Sequence, residues 1–480
     1  MADHDLISRR PGRVDQLGLF AAMWAMAAAW HVLGNTTQGS WWTQAAVAVG
    51  VTLVLLNPGA PVPLAVLAAS SVALVWDEAP TLGNHWLLAG FVNLAILMSV
   101  GTAVLRRRPH DRLDLANRLL PVARLCVLGF YGFAAFAKLN TAFFDRSVSC
   151  AVHYFRESTD SVGLSGLQLG GAAWLDHLVI VGTALVELSI PVLLVVPRSR
   201  RVGVVVALGF HTLVAIDHSH QFFDFSSLLF ALFVLFLPEG AGPWTAERVG
   251  SVRARLALRH GALPRRVHLG LAAIPAIAVL LVALDVLDAS SALDVGWWPW
   301  QVFAVGTTVT VLRYLRQERR APLPRALVPH HALFALVPVL VLLNGLTPYL
   351  ELKTGYGWNM YANLRTVDGD TNHYLVPRTL PLTDEQEDPV VILSSDDPVL
   401  ERYETTGYAL TWRQLRWYLS DHPEVRITYR RGSSIVALAH ASDAPELVDA
   451  DPSWREKLQL FRAIDLEEPE RCVPTFGPAR

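Results

Sequence analysis

The 480-residue chain is 52% hydrophobic and only 17% charged, with a formal net charge of -2 and a mean hydropathy of +0.34. Those values exclude an ordinary soluble globular domain and point to a polytopic protein whose first partner is a lipid bilayer. No basic tract is interleaved with stacking aromatics, so nucleic acid is not an expected partner.

The opening "MADHDLISRRPGRVDQ" leads into an apolar run without the usual small-residue cleavage site. It therefore reads as a retained first span rather than a removed signal. A bilayer-crossing helix needs roughly 20 mostly apolar residues, with ~17 sufficing. On that rule eleven segments qualify, near 15–34, 42–57, 61–77, 85–105, 118–138, 174–196, 202–217, 221–238, 267–287, 296–313 and 330–350. The second and third are short and joined by "NPGAPVP", so they also read as a helical hairpin that does not fully span.

The loops orient these segments. "RRPGR", "RRRPHDR", "PRSRR", the Arg-rich stretch 248–266 and "RYLRQERRAPLPR" all fall on one side under strict alternation. The opposite loops, such as "GNTTQGSWW" and "DEAPTLGN", are poor in arginine. The positive-inside rule makes the basic side cytoplasmic, which puts the N-terminus inside and the chain after about Glu351 outside. Abundant arginine and alanine with three lysines (Lys138, Lys353, Lys457) fit a GC-rich bacterial origin, hence a bacterial cytoplasmic membrane. The last stretch changes character: "PVVILSSDD", "EVRITYRRG" and "SSIVALAHA" read as strands, and "TWRQLRWYLSDH" as an amphipathic helix. The expected fold is an all-α polytopic membrane domain over 1–350, followed by a small extracytoplasmic α/β domain over 351–480.

Cysteines are few. Cys126, Cys150 and Cys472 follow no zinc or CxxC spacing. Cys150 and Cys472 both fall on the oxidising side, which makes them a candidate disulfide if their Cα atoms come within bonding reach.

Ionisable residues gather towards the outer half of the bilayer. Lys138 ends the fifth span, His85 begins the fourth, His211 sits in the seventh, and Glu187 lies well inside the sixth. Asp217, His218 and His220 form the turn after His211. Such groups are costly in lipid unless paired or hydrated, and their default reading is functional. Each also has a structural reading. A terminal lysine snorkels to headgroups, His85 starts a helix at the interface, and His211 sits satisfied in a core. A mid-span Glu187 pairs with Arg124 or a histidine. No cysteine or carboxylate cluster completes a metal site around "HSH", so no metal is expected. Lysine at position 138 is notable because arginine is the rule elsewhere; a desolvated lysine gives up its proton, whereas arginine keeps it.

In order along the chain stand "GNHWLL", "YGFAAFAKLNTAFF", "LVELSIPVLLV", "GFHTLVAIDHSHQFFDFS" and "GYGWNMYANLRT". This series resembles the vitamin K-dependent γ-glutamyl carboxylase family, including its bacterial relatives with a horizontally transferred transmembrane domain, over about residues 10–375. The resemblance implies that Lys138 deprotonates reduced vitamin K or menaquinol, that His85 and His211 assist, and that Glu187 organises the site. It implies oxygen and carbon dioxide as co-substrates, and a secreted protein or peptide as the carboxylated partner. The chain departs from the family in reducing its lysine pair to Lys138 alone, with Ala137 in front, and it is far shorter than animal carboxylases. The alternatives are a non-enzymatic scaffold or transport-associated protein, and a carrier using Glu187 and His211 as a relay. The carrier is disfavoured by the absence of recognisable repeats.

Overall fold

The computed structural model describes residues 11–35, 39–80, 82–107, 111–164, 172–218, 222–260, 270, 273–283, 289–318, 327–449 and 453–472. The chain divides into two compact units, one from Met1–Glu78, His85–Gly129 and Ser189–Val341, the other from Ala79–Asn84, Phe130–Leu188 and Leu342–Arg480.

Five described helices are long and apolar enough to cross a membrane: Gln16–Gly34, Pro61–Glu78, Asn84–Leu105, Arg112–Phe136 and Ala173–Val195. A sixth crossing results if Phe222–Phe236 and Ala241–Ser251, bent by 114°, count as one broken span. Trp41–Leu56 and Ala332–Leu346 are apolar but shorter. The expected seventh and tenth segments are helical as Arg200–Val214 and within Ala289–Gln317, but are not among these five or six. Within the expected ninth, Ile274–Ala283 is an apolar helix, and the rest of that segment lies mostly outside the described residues. By length and composition the protein is compatible with a helical membrane protein carrying a small sheet domain. Side-chain exposure agrees: on Ala173–Val195, Leu178, Val181, Leu185 (62% exposed) and Val192 form an open apolar face, which suits lipid and is disfavoured in water.

In the first unit, α1 (Pro11–Gly34), α2 (Trp41–Leu56), α3 (Pro61–Glu78) and α4 (Asn84–Leu105) follow one another closely. A turn through Asn57–Ala60 joins α2 to α3, with Gly59 at φ 78°, a conformation that favours glycine. Gly50 lets the two helices touch, since a Cβ there would lie 2.7 Å from Leu67 Cα. Later in the chain come α5 (Arg112–Phe136), α6 (Cys150–Ser161), α7 (Ala173–Val195), α8 (Arg200–Val214) and α9 (Phe222–Phe233). Every residue of α9 except the half-buried Phe225 is buried, as expected of a helix that is apolar on nearly all sides. A 3-10 turn, Val234–Phe236, follows it, and carbonyls at a helix end need donors; Gln16 donates to Val234 O at 2.8 Å and Arg124 Nε to Leu235 O at 2.8 Å.

The second unit holds a five-stranded antiparallel sheet. Its strands, written with their order in the chain, are β3 (Val390–Ser395), β4 (Tyr408–Leu410), β5 (Ile427–Arg431), β6 (Ser434–Leu438) and β7 (Ile464–Asp465), after a hairpin of β1 (Thr366–Val367) and β2 (Asp370–Thr371). The spatial order is β6-β5-β3-β4-β7. Two helices flank β4. Pro398–Thr406 is capped by Asp397 and stopped by Gly407 at φ 73°, and Trp412–Asp421 opens with a Thr411–Gln414 capping box. Val390, Ile392, Leu400, Tyr403, Leu415 and Ile427 centre its core. A disulfide joins Cys150 to Cys472, Cα atoms 4.9 Å apart. Cys126 is buried and free.

Candidate functional site

In the second unit α5 ends at Phe136 and Lys138 follows within the closing turn, its amide donating to Ala135 O at 3.2 Å. The last carbonyls of a helix need donors, and cations are favoured there. Three side chains supply them: Lys138 Nζ to Ala134 O at 3.3 Å, His373 Nε2 to Phe136 O at 2.9 Å, and Asn140 Nδ2 to Ala137 O at 2.8 Å. His373 Nδ1 meanwhile accepts from the amides of Leu375 and Val376, which sets its tautomer. Burial holds His373 below its ordinary pKa, in keeping with a neutral ring that donates on one side and accepts on the other.

Lys138 is only 5% exposed. Its Nζ lies 2.9 Å from Glu187 Oε2 and also donates to Met360 O at 3.3 Å. Met360 belongs to the stretch "GYGWNMYANLRT", where Tyr356, Trp358, Tyr361 and Asn363 all have φ between 49° and 58°. Bulky residues rarely take that left-handed conformation, and it concentrates at functional segments. The segment is tied down by its backbone: Ala362 O accepts from Asn140, and Trp358 N donates to Asn84 Oδ1 at 3.2 Å.

The first unit assembles a second group. His31, in the last turn of α1, has Nδ1 2.7 Å from Asp224 Oδ2 and Nε2 3.1 Å from Glu78 Oε1. Its ring stacks on Trp86 at 3.7 Å between centroids. His85 Nε2 lies 2.9 Å from the same Asp224 oxygen, which also accepts from Asn35 Nδ2 at 3.0 Å. Four element ends meet here: the C-termini of α1 and α3 and the N-termini of α4 and α9. Asp224 in the first turn of α9 suits the positive helix end, whereas Glu78 at the C-terminus of α3 does not and is offset by His31. Ionised carboxylates only accept, so a His31 that satisfies both donates from both nitrogens as imidazolium.

His31, His85 and Asp224 present ligand atoms within 4.8 Å of one another, a donor set that suits zinc or another imidazole-binding metal. Two ligands on one tetrahedral zinc lie ~3.3 Å apart given bonds of ~2.0–2.1 Å. The contacts at 2.7 and 2.9 Å are closer than that, so the group as it stands is a hydrogen-bonded, proton-sharing array.

Of the residues singled out in the sequence, Lys138 and Glu187 pair directly. His85 joins the Asp224 array in the other unit. His211 is buried among Phe210, Phe225 and Phe233, with Ser226 Oγ 3.2 Å from its carbonyl. Phe225 packs against both His85 and His211 rings, at 5.7 and 5.1 Å. Glu187 takes Lys138 as its partner; Arg124, the other cation considered, serves the turn that follows α9. Asp217 is buried, His218 rests edge-on against Trp297 at 5.4 Å, and His220 lies outside the described residues. Sequence reasoning missed His31, Asn35, Glu78 and Asp224. The available signal was an acidic residue inside the Phe-rich "FFDFSS".

No family model matches the chain, and comparison with curated proteins and with solved structures returns no match.

Proposed function

We propose that this protein is a quinol-dependent enzyme of a bacterial cytoplasmic membrane, with eleven spans, an inward N-terminus and Lys138 as its base. The carrying observation is that Lys138 is buried against Glu187 instead of reaching out to a headgroup layer. That arrangement fits a proton acceptor. A lysine–glutamate pair has the same net charge whether its shared proton sits on nitrogen or on oxygen. Moving it to Glu187 exposes a neutral amine without creating charge in a medium where isolated charge is expensive. Reduced vitamin K or menaquinol, with oxygen and carbon dioxide, would supply the oxidative chemistry. The chain's part is to take the quinol hydroxyl proton at Nζ and hold it. His85 and His211 are assigned assisting roles by the family resemblance, and Asp224 would orient His85.

One observation favours the non-enzymatic scaffold reading: Ala134 O, Met360 O and Glu187 together occupy all three Nζ donors. A purely structural pin would look the same. Turnover separates the two. Protein in menaquinol-loaded nanodiscs is exposed to oxygen and epoxide is followed by mass spectrometry. Wild type is expected to form epoxide, and Lys138→Ala and Lys138→Arg to form none while still folded. Activity in Lys138→Arg would remove lysine as the base, and no epoxide from any form would favour the scaffold.

A further inference from the structure

The second unit contains a small cavity, independent of Lys138, between the 361–366 segment and the chain from Arg462 to Arg471. Its volume is about 30 Å³, room for two or three waters at roughly 10–15 Å³ each. Four lining residues carry a buried polar atom with no hydrogen-bond partner among the described residues: Arg365 Nε, Thr366 Oγ1, Gln386 Oε1 and Glu470 Oε2. Buried polar atoms are almost always paired, so four orphans on one cavity call for an occupant.

The charge pattern narrows the occupant. Of three arginines on the cavity, Arg471 is held by Asp465 and Arg365 by Glu468. Among the described residues the Arg462 guanidinium makes no hydrogen bond and no ion pair; Glu470 and the rings of Tyr361 and Tyr154 act on it only through their fields. Burial, then Asp465, pushes the Glu470 carboxyl well above its usual range despite Arg365, Arg462 and Arg471. That shift favours its protonated form, which has an O–H to donate. The donors are two guanidinium groups, the Thr366 hydroxyl and this acid; Gln386 Oε1 is an acceptor, since its amide nitrogen already serves Thr366 O at 2.8 Å.

We propose that this cavity binds a small hydroxylated oxyanion of the hydrogencarbonate class. Two oxygens accept from Arg462 and its neighbours, the single hydroxyl donates to Gln386 Oε1, and the four heavy atoms match the available volume. Acetate offers the charge without the hydroxyl, and chloride the charge alone.

The test uses the full chain in nanodiscs, titrated with ¹³C-labelled hydrogencarbonate at constant pH and ionic strength. Binding is read by saturation-transfer NMR and by the thermal unfolding midpoint. Hydrogencarbonate is expected to transfer saturation and raise the midpoint, with acetate weaker and chloride without effect. Arg462→Gln is expected to weaken binding by about tenfold or more, the scale of a lost charged hydrogen bond. Thr366→Val, which only removes an unpaired hydroxyl, weakens it less. Glu470→Gln retains binding, because its amide donates where the acid did. Equal responses to acetate and hydrogencarbonate would overturn the hydroxyl assignment. Equal responses to chloride, or none to any anion, would leave a water-filled cavity and overturn the proposal.

Discussion

Asp465 and Glu470 stand five residues apart and answer to pH in opposite senses. Burial works to raise the Asp465 pKa, but the Arg471 side chain, at 2.7 Å through Nε and 2.8 Å through its terminal nitrogen, and backbone amides outweigh it and hold the carboxyl below its ordinary value. A depressed carboxylate stabilises the fold above its unfolded pKa near 3.8, and that contribution is lost as pH falls through the folded value. For Glu470 the folded pKa is raised, so the fold is favoured below the unfolded value near 4.5 and loses stability as pH rises through the folded one. Chemical unfolding followed across pH should therefore show two features. Asp465→Asn is expected to abolish the acid-side loss, and Glu470→Gln to remove the loss at higher pH. An unchanged acid limb in Asp465→Asn would mean the Arg471 lock contributes nothing. At this scale the sequence was a fair guide to which residues carry charge into apolar surroundings, since Lys138, His85 and Glu187 could be picked out by position alone. Partners were another matter. Asp224 binds residues 193 and 139 positions away, and no local pattern encodes such a meeting.

Elements pack through what they lack. In the α2–α3 hairpin Gly50 admits Leu67, and a Cβ at 2.7 Å from Leu67 Cα has nowhere to go because its neighbour is backbone. Gly50→Ala is expected to cost about 1–3 kcal/mol, the usual scale of overpacking. Gly101→Ala, with nothing within 4 Å of its Cβ, should be near neutral or slightly stabilising. Thermal unfolding in nanodiscs compares them directly, and equal midpoints would show that the hairpin opens to accept the methyl. The "NPGAPVP" turn was legible as a hairpin because proline and glycine punctuate helices locally. In the C-terminal sheet domain the strands of β3, β5 and β6 were legible by alternation. The short β4 and β7 were not, since two or three residues carry no period and owe their conformation to pairing.

For the whole molecule, open apolar faces on helices such as α7 make a lipid environment the economical explanation of the surface. Sidedness rests on arginine distribution. A reporter fused after Arg480 is expected to give an extracytoplasmic signal, with inward signals from fusions in the loops after the fourth and eighth segments. A cytoplasmic signal after Arg480 would overturn the eleven-span arrangement. Hydropathy and turn chemistry are properties of neighbouring residues, so the sequence by itself determined the helical, membrane-suited character, the change to an α/β domain and the set of ionisable residues placed in apolar segments. Only the tertiary structure decided that Lys138 turns inward to Glu187, that Glu78 and Asp224 gather round His31 with His85 joining through Asp224, and that Arg462 stands over a polar cavity. Those contacts join residues dozens to hundreds of positions apart, and burial, which makes each pairing obligatory, exists only once the chain has folded around it.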